Sequence, residues 1–297
     1  MNSLSIAESE CERNMVVNKI NNKELINKVG IIGLGSVGSA LFKHLSNFYN
    51  VSGYDIIGNY NWNDILKCPV SFICVQTPGD DNGRLDCSHV EDALQKLASS
   101  NYSGVIIIKS TLGVGFMENA TGKFPELRMV YSPEFLREKS ALEWTANPDR
   151  LVFSGEENDV KEALKIYSWA TCVDIIITDY RSAEIGKLAH NAFIATKVSF
   201  TNTMENIAAR GKGNIDDIMK IVYTDRRVRN MAHLTPHLGA FGGKCVPKDT
   251  MELMNAFSSE SLLFKADFVV NETVKTSMKN STTGQGMPDS DKYGEQR

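Results

Sequence analysis

Short runs of apolar residues alternate along the chain with stretches in which apolar positions recur every three or four residues. Val29-Gly30-Ile31-Ile32 runs into glycines, and Leu41, Leu45 and Phe48 follow at helical spacing. Val51-Ser52-Gly53-Tyr54 closes at Asp55, residues 69–75 are rich in β-branched and aromatic side chains, and Val90, Ala93, Leu94 and Leu97 mark a helix. Val105-Ile106-Ile107-Ile108, Met129-Val130-Tyr131, Leu151-Val152-Phe153 and Val173-Asp174-Ile175-Ile176-Ile177 complete the set of strands. Continuous apolar strands alternating with helices predict an α/β domain whose parallel sheet is covered on both faces. The pattern changes after Thr178: residues 182–209 contain no proline and one glycine, and their spacing predicts a helix of roughly 28 residues, about 42 Å long. More helical sequence follows to about residue 223, then a glycine-rich loop at 239–243 and two further helices. The expected organisation is an N-terminal extension (1–27), an α/β domain (28–178), a helical region (179–280) and a polar, disordered tail (281–297).

Composition adds exclusions. The 297 residues are 42% hydrophobic and 23% charged, as in an ordinary globular protein, and the net charge of −4 offers no general attraction to nucleic acid or to an anionic membrane. No apolar run reaches the ~18–20 residues of a spanning helix, and acids precede any apolar stretch at the N-terminus, unlike a secretory signal. Cys11, Cys68, Cys74, Cys87, Cys172 and Cys245 form no Cys-x-x-Cys pair, so no metal site and no disulfide framework is indicated. Free thiols point to the cytoplasm.

Gly33-Leu34-Gly35-Ser36-Val37-Gly38 is Gly-x-Gly-x-x-Gly directly after a strand and at the start of a helix. In a Rossmann-type dinucleotide site the first glycine allows the tight turn, the second admits the pyrophosphate and the third lets helix and strand pack closely. Asp55 closes the next strand 17 residues after Gly38, placed to accept both ribose hydroxyls and to repel a 2′-phosphate. The expected cofactor is NAD rather than NADP. Read separately, the glycines are a turn that binds nothing and Asp55 a strand-end turn residue.

Gly242-Gly243-Lys244-Cys245-Val246-Pro247-Lys248-Asp249 places a thiol between two lysines, just ahead of a helix whose first turn suits Pro247 and Asp249. Such a setting favours the thiolate; equally, Cys245 is a small residue in a tight turn. Cys74 and Cys172 lie in or beside apolar strands and read as packing residues. Glu184, Lys187 and Asn191 are spaced i, i+3, i+7 and share a helix face, either turned into a cleft or exposed as a Glu–Lys pair. Thr111 follows a strand end, where it lines a ligand crevice or caps a helix. Glu134 and Glu138 flank Arg137, for acid–base work or for pairing with it.

Taken together these stretches resemble the UDP-glucose/GDP-mannose dehydrogenase family, through Gly33 to Gly38, Val75-Gln76-Thr77-Pro78, Ser110-Thr111, residues 132–138, the run EIGKLAHNAFIATK at 184–197 and FGGKCVPKD at 241–249. Members oxidise the C6 alcohol of a nucleotide sugar to the acid with two NAD+. The resemblance implies that Cys245 forms a thiohemiacetal and then a thioester, that Lys187 and Asn191 stabilise oxyanion charge, that Asp249 and Thr111 position water and hydroxyl protons, and that Glu138 assists. It implies cofactor contacts at Gly33, Gly35, Ser36, Val37, Gly38, Asp55, Thr77, Thr111 and Glu134. Substrate contacts are implied at Glu134, Phe135, Leu136, Arg137, Lys187, Asn191, Gly242 and Gly243. A homodimer through the central helices is expected, with Leu262, Leu263, Phe264 and Phe268 exposed unless covered. Two departures stand out. Leu112-Gly113-Val114-Gly115-Phe116 replaces the family's proline-containing turn, and only 25 residues follow Glu272, where the family continues into a second α/β domain. The alternatives are a β-hydroxyacid dehydrogenase relative, which needs no thiol, and an NAD-binding remnant with a regulatory or partner-dependent role.

Overall fold

The computed structural model describes residues 26–281, except Asp81, Cys172, Arg226, Arg227 and residues 229–231, and except the side chains of Glu138 and residues 279–281. The N-terminal extension up to residue 25, the tail from 282, Cys11 and Cys172 lie outside the described residues. The chain forms two compact units. One comprises the chain up to Pro78 with Asp86–Lys187, the other Gly79–Leu85 with the chain from Leu188 onward.

The first unit is built on β1 (Lys28–Ile32), β2 (Asn50–Tyr54), β3 (Val70–Ile73), β4 (Val105–Ile108), β5 (Arg128–Tyr131), β6 (Arg150–Gly155) and β7 (Asp174–Ile177). Its helices are α1 (Ser36–Leu45), α2 (Trp62–Leu66), α3 (Ser88–Ser99), α4 (Phe116–Lys123), α5 (Ala141–Ala146) and α6 (Glu157–Ile166), with a 3-10 turn at Glu138–Ser140. The strands form one sheet in the order β2-β1-β3-β4-β5-β6-β7. The apolar runs divide by alternation, as the pleat requires. Ile32, Ile73, Ile106, Ile108 and Tyr131 pack under α3 and α4, whereas Val29, Ile31, Phe72, Val105, Ile107 and Phe153 pack under α1 and α6. A layer on each face explains why no position in β4 is polar.

The all-parallel expectation is corrected at β6. β1 to β5 are parallel, but β6 pairs antiparallel with β5, and β7 runs parallel to β6. A parallel neighbour needs a helical crossover back to the starting edge. Residues 132–149 supply only a loop, the 3-10 turn and the six-residue α5, so β6 enters from the edge at which β5 ends. β7 lies at the sheet edge, with Ile175, Ile176 and Ile177 exposed.

The long helix is α7 (Tyr180–Gly211), 32 residues, and the division between units falls within it, after Lys187. The second unit adds α8 (Ile215–Thr224), α9 (Val246–Ala256) and α10 (Leu262–Ser281). Asn214 caps α8 by accepting from the Asp216 and Asp217 N–H groups. Ala195 and Val198 of α7 pack with Phe241, Val246 and Phe268. Leu262 and Leu263 are exposed as expected, but Phe268 is not free: its ring meets Phe241 edge-on at 5.4 Å. The strip at Gly79–Leu85 is tied to α9, where the Leu85 N–H donates to the Glu252 carboxylate at 2.7 Å and Asn255 Nδ2 to the Asn82 carbonyl at 2.8 Å.

Candidate functional site

The glycine loop joins β1 to α1. Gly33 has φ +89°, and a Cβ there would meet the Cys74 carbonyl at 2.8 Å. A Cβ on Gly38 would lie 1.8 Å from the Gly33 carbonyl, but one on Gly35 would meet nothing within 4 Å. The first and third glycines are therefore demanded by the protein's own packing. The second guards open space in front of the α1 N-terminus, where Gly35 is the N-cap, Ser36 and Val37 open the helix and no acidic side chain occupies the first turn. Asp55 accepts from the Leu34 N–H at 2.7 Å and the Ile57 N–H at 2.9 Å, which fixes its carboxylate against this loop. These residues fit a dinucleotide: N–H groups and a helix N-terminus for pyrophosphate, and an oriented carboxylate for ribose.

Further residues gather beyond the ends of β3, β4 and β5. Thr77 is buried after β3, and Ser110 donates to the Val75 carbonyl at 2.7 Å. Thr111 is half-buried in the loop before α4. It is not a cap, because Gly115 in the left-handed region is the N-cap of α4. Glu134 does not pair with Arg137; it meets the buried ammonium of Lys109 at 3.2 Å. Burial alone would lower the Lys109 pKa, but the Glu134 carboxylate and the Tyr167 phenol outweigh it and hold the ammonium above its ordinary value. Arg137 lies over the Trp144 ring at 5.8 Å. Glu134, Phe135, Leu136, Trp144, Asp149 and Arg150, among others, line a shallow recess of about 10 Å³ here. The Phe135 ring has the Arg150 guanidinium 4.0 Å and the Lys187 ammonium 5.1 Å from its centroid. The backbone of Glu138 opens the 3-10 turn, and its side chain lies outside the described residues.

Glu184, Lys187 and Asn191 are all buried, so the solvated-face alternative does not hold. Glu184 is not paired with Lys187. Its carboxylate accepts from the Gly115 N–H at 2.6 Å and the Met117 N–H at 2.8 Å, taking up donors at the start of α4. Burial nevertheless pushes the Glu184 carboxyl above its ordinary value, with the two N–H donors pulling the other way.

In the second unit Cys245 is exposed and is the N-cap of α9, with Pro247 in the first turn. Asp249, one turn on, is fully buried; it accepts from Asn191 Nδ2 at 2.5 Å and from Lys248 Nζ at 2.6 Å. Lys248 therefore has its charge met by Asp249. Gly242 has open space around its Cα, and Gly243 takes φ +76°. The other described thiols differ: burial pushes Cys74 up to about 12 and also raises Cys68, and Cys87 is half-buried as the N-cap of α3. Sequence reasoning passed over Lys109, Arg150 and Asn271. A lysine directly after four apolar strand residues was a visible hint for the first; the other two have no local signature.

Known proteins share these domains and this fold. Residues 58–171 match the NAD binding domain, and residues 181–273 the central domain, of the UDP-glucose/GDP-mannose dehydrogenase family. The chain belongs to this family. As a member it carries the family's NAD binding domain, and its cofactor is NAD. The glycine loop and Asp55 precede the first matched span; Thr77 to Glu138 fall within it, and Lys187 to Asp249 within the second. A UDP-glucose 6-dehydrogenase of Rickettsia conorii is 37% identical over 204 residues, 66% of this chain and 46% of that protein. A putative UDP-glucose 6-dehydrogenase of Bacillus subtilis is 33% identical over 254 residues, 78% of this chain and 59% of its own length. The chain thus spans about half the length of the curated relatives it matches. A UDP-glucose dehydrogenase structure from Pyrobaculum islandicum superposes with a TM-score of 0.75 at 25% identity, covering 86% of this chain and 70% of that one. The 3-hydroxyisobutyrate dehydrogenase of Mycobacterium tuberculosis, at 14% identity and a TM-score of 0.65, shares the fold.

Proposed function

We propose that the chain oxidises the C6 alcohol of a nucleotide sugar, UDP-glucose first among them, to the uronic acid, in the cytoplasm and as a homodimer. The observation that carries this reading is Cys245, exposed at the N-terminus of α9 one turn from the buried Asn191–Asp249 pair. Two-electron oxidation of a simple hydroxyacid has no use for such a thiol. Its place in a run shared with the family, together with the names of the relatives, supports the choice of substrate.

NAD+ supplies the hydride acceptor, used twice. The chain's own residues do the rest. Lys187, its ammonium against the Phe135 ring, faces the developing alkoxide, and an oriented donor of this kind is worth about 3 kcal/mol in the transition state. The C6 hydroxyl gives up its proton and C6 a hydride, leaving the aldehyde. The Cys245 sulfur adds to that carbon, and the carbonyl oxygen takes a proton to give the thiohemiacetal. Loss of that proton and a second hydride leaves the thioester. Water, positioned by Asp249 and Thr111, adds to it and displaces the thiol, with Glu138 assisting proton transfer. One water oxygen enters, two hydrides leave, and Cys245 is regenerated. Glu134, Phe135, Leu136, Arg137, Gly242 and Gly243 hold the sugar and its phosphates.

NADH release from a panel of UDP- and GDP-sugars tests the reading. Two NADH per acid are expected, and Cys245→Ala should form no acid. One NADH per substrate, undiminished in Cys245→Ala, would make the chain a two-electron hydroxyacid dehydrogenase instead. NADP+ should bind more weakly than NAD+ in calorimetric titration, because Asp55 would face the added phosphate.

A further inference from the structure

Cys245 hangs from a loop that has little stiffness of its own. Gly242 and Gly243 lie between Phe241 and Lys244, and glycine is the residue least able to hold one backbone conformation. On its C-terminal side the thiol-bearing residue is fixed by α9, through the Asp249 N–H donating to the Cys245 carbonyl at 2.9 Å. On its N-terminal side the last fixed point before the glycines is Phe241.

The main-chain N–H and carbonyl at that point are held by one side chain. Asn271 of α10 is completely buried, and its carboxamide meets both main-chain groups of Phe241: Oδ1 accepts from the Phe241 N–H at 2.7 Å, and Nδ2 donates to the Phe241 carbonyl at 3.0 Å. An asparagine amide presents one donor and one acceptor side by side, as a neighbouring β-strand would. Aspartate can answer only the N–H; leucine neither. Asn202 of α7 secures the same loop two residues earlier, with Nδ2 on the Gly239 carbonyl at 2.8 Å, and the Phe241 ring is packed against Phe268 one turn before Asn271. Two helices thus brace the strip that ends in the thiol.

We infer that Asn271 is a positioning residue for Cys245, acting through the main chain of Phe241. This rests on the proposed thiol chemistry, and it makes a narrower claim. A nucleophile displaced by about 1 Å loses on the order of a hundredfold in rate. The first hydride transfer, from alcohol to aldehyde, needs no thiol. The second does. Loss of the Asn271 bracket should therefore fall on one half-reaction.

The test compares Asn271→Asp and Asn271→Ala with the parent chain in three measurements: the first hydride transfer from the nucleotide sugar, the second from the corresponding 6-aldehyde, and the rate of Cys245 alkylation by iodoacetamide, with Cys87 as internal reference. The expected result is a second transfer at least tenfold slower, a first transfer within about twofold, an unchanged KM, and a Cys245-to-Cys87 alkylation ratio altered at least threefold. Equal losses in both transfers, with the alkylation ratio unchanged, would make Asn271 a packing residue only and overturn the inference. Should the parent chain release no NADH, the proposed activity fails, and the alkylation ratio alone decides the positioning role. If Asn271→Ala does not fold, Asn271→Asp, which keeps the acceptor for the Phe241 N–H, carries the comparison. An unchanged alkylation ratio in that variant overturns the inference equally.

Discussion

Asn191 and Asp249 are 58 residues apart in sequence and meet at 2.5 Å, both buried, with the amide Nδ2 donating to the carboxylate Oδ2. A hydrogen bond to a buried charge is worth about 1.5–3 kcal/mol, more than an exposed ion pair. Asn191→Leu should lower unfolding stability by about 2 kcal/mol, because Asp249 keeps Lys248 but loses its other donor. Acid formation should fall with it. Urea unfolding monitored by circular dichroism checks the first, and NADH yield the second. A variant as stable as the parent would mean that the pair contributes nothing to the fold.

Glu184 gives a prediction with a definite sign. Burial raises its carboxyl above the ordinary 4.5, so over the range just above that value the folded protein retains a proton that the unfolded chain has lost. Stability from this group is complete below pH 4.5 and is lost as pH rises through the raised value. Glu184→Gln removes the titration and replaces one of the two accepting oxygens. Unfolding free energies measured across the mildly acidic range should show the parent ahead by about 1–2 kcal/mol at the acid end, with the lead shrinking as pH rises. A parallel pair of curves contradicts the assignment.

The three glycines of the dinucleotide loop should separate by phenotype. Gly38→Ala forces a methyl against the Gly33 carbonyl and should unfold the chain at markedly lower denaturant, by about 3 kcal/mol or more. Gly35→Ala has free space and should melt as the parent does, yet bind NAD+ at least tenfold more weakly, because the methyl occupies the approach to the α1 N-terminus. Thermal melts beside calorimetric titrations distinguish the two. Equal NAD+ affinity in Gly35→Ala would displace the pyrophosphate from this loop.

Phe193, Phe200 and Ile207 are all exposed on α7 and succeed one another at seven-residue intervals, so they form one stripe along the helix. Sedimentation should find the parent chain self-associated and Phe200→Lys shifted toward monomer. A parent chain that is strictly monomeric would remove the dimer from the proposal.

The sequence carried the elements and the place of the glycine loop. Apolar runs located the seven described strands, β4 most plainly because a layer on each face leaves it no polar position, and Gly33, Gly35 and Gly38 stood in a strand-to-helix context that the fold reproduces. Three things were not legible. The direction of β6 depends on the path that residues 132–149 take in space, which no periodicity records. Glu134 meets Lys109 across neighbouring strand ends, and Glu184 of α7 meets Gly115 and Met117 at the start of α4, proximities that come from packing and not from spacing. Local pattern favoured a Glu184–Lys187 surface pair, and burial reversed it. Asn271 gives no local sign of its hydrogen bonds, because both go to a main chain 30 residues away.

The reversal of β6 has a consequence for how such a fold can diversify. Tyr131 faces Ser154 and Val130 faces Gly155, so β6 runs back along β5 and its first residue, Arg150, reaches the rim that holds Glu134 and Phe135. The forward strands lend this rim only the loops at their C-terminal ends. β6 lends it the loop at its N-terminal end. Residues 132–149 therefore leave the sheet and rejoin it on the same side, and changes in their length leave the pairing of every strand untouched. Changes of length after Glu138, beyond the run 132–138 that carries the family resemblance, would remodel this rim while every strand keeps its partner.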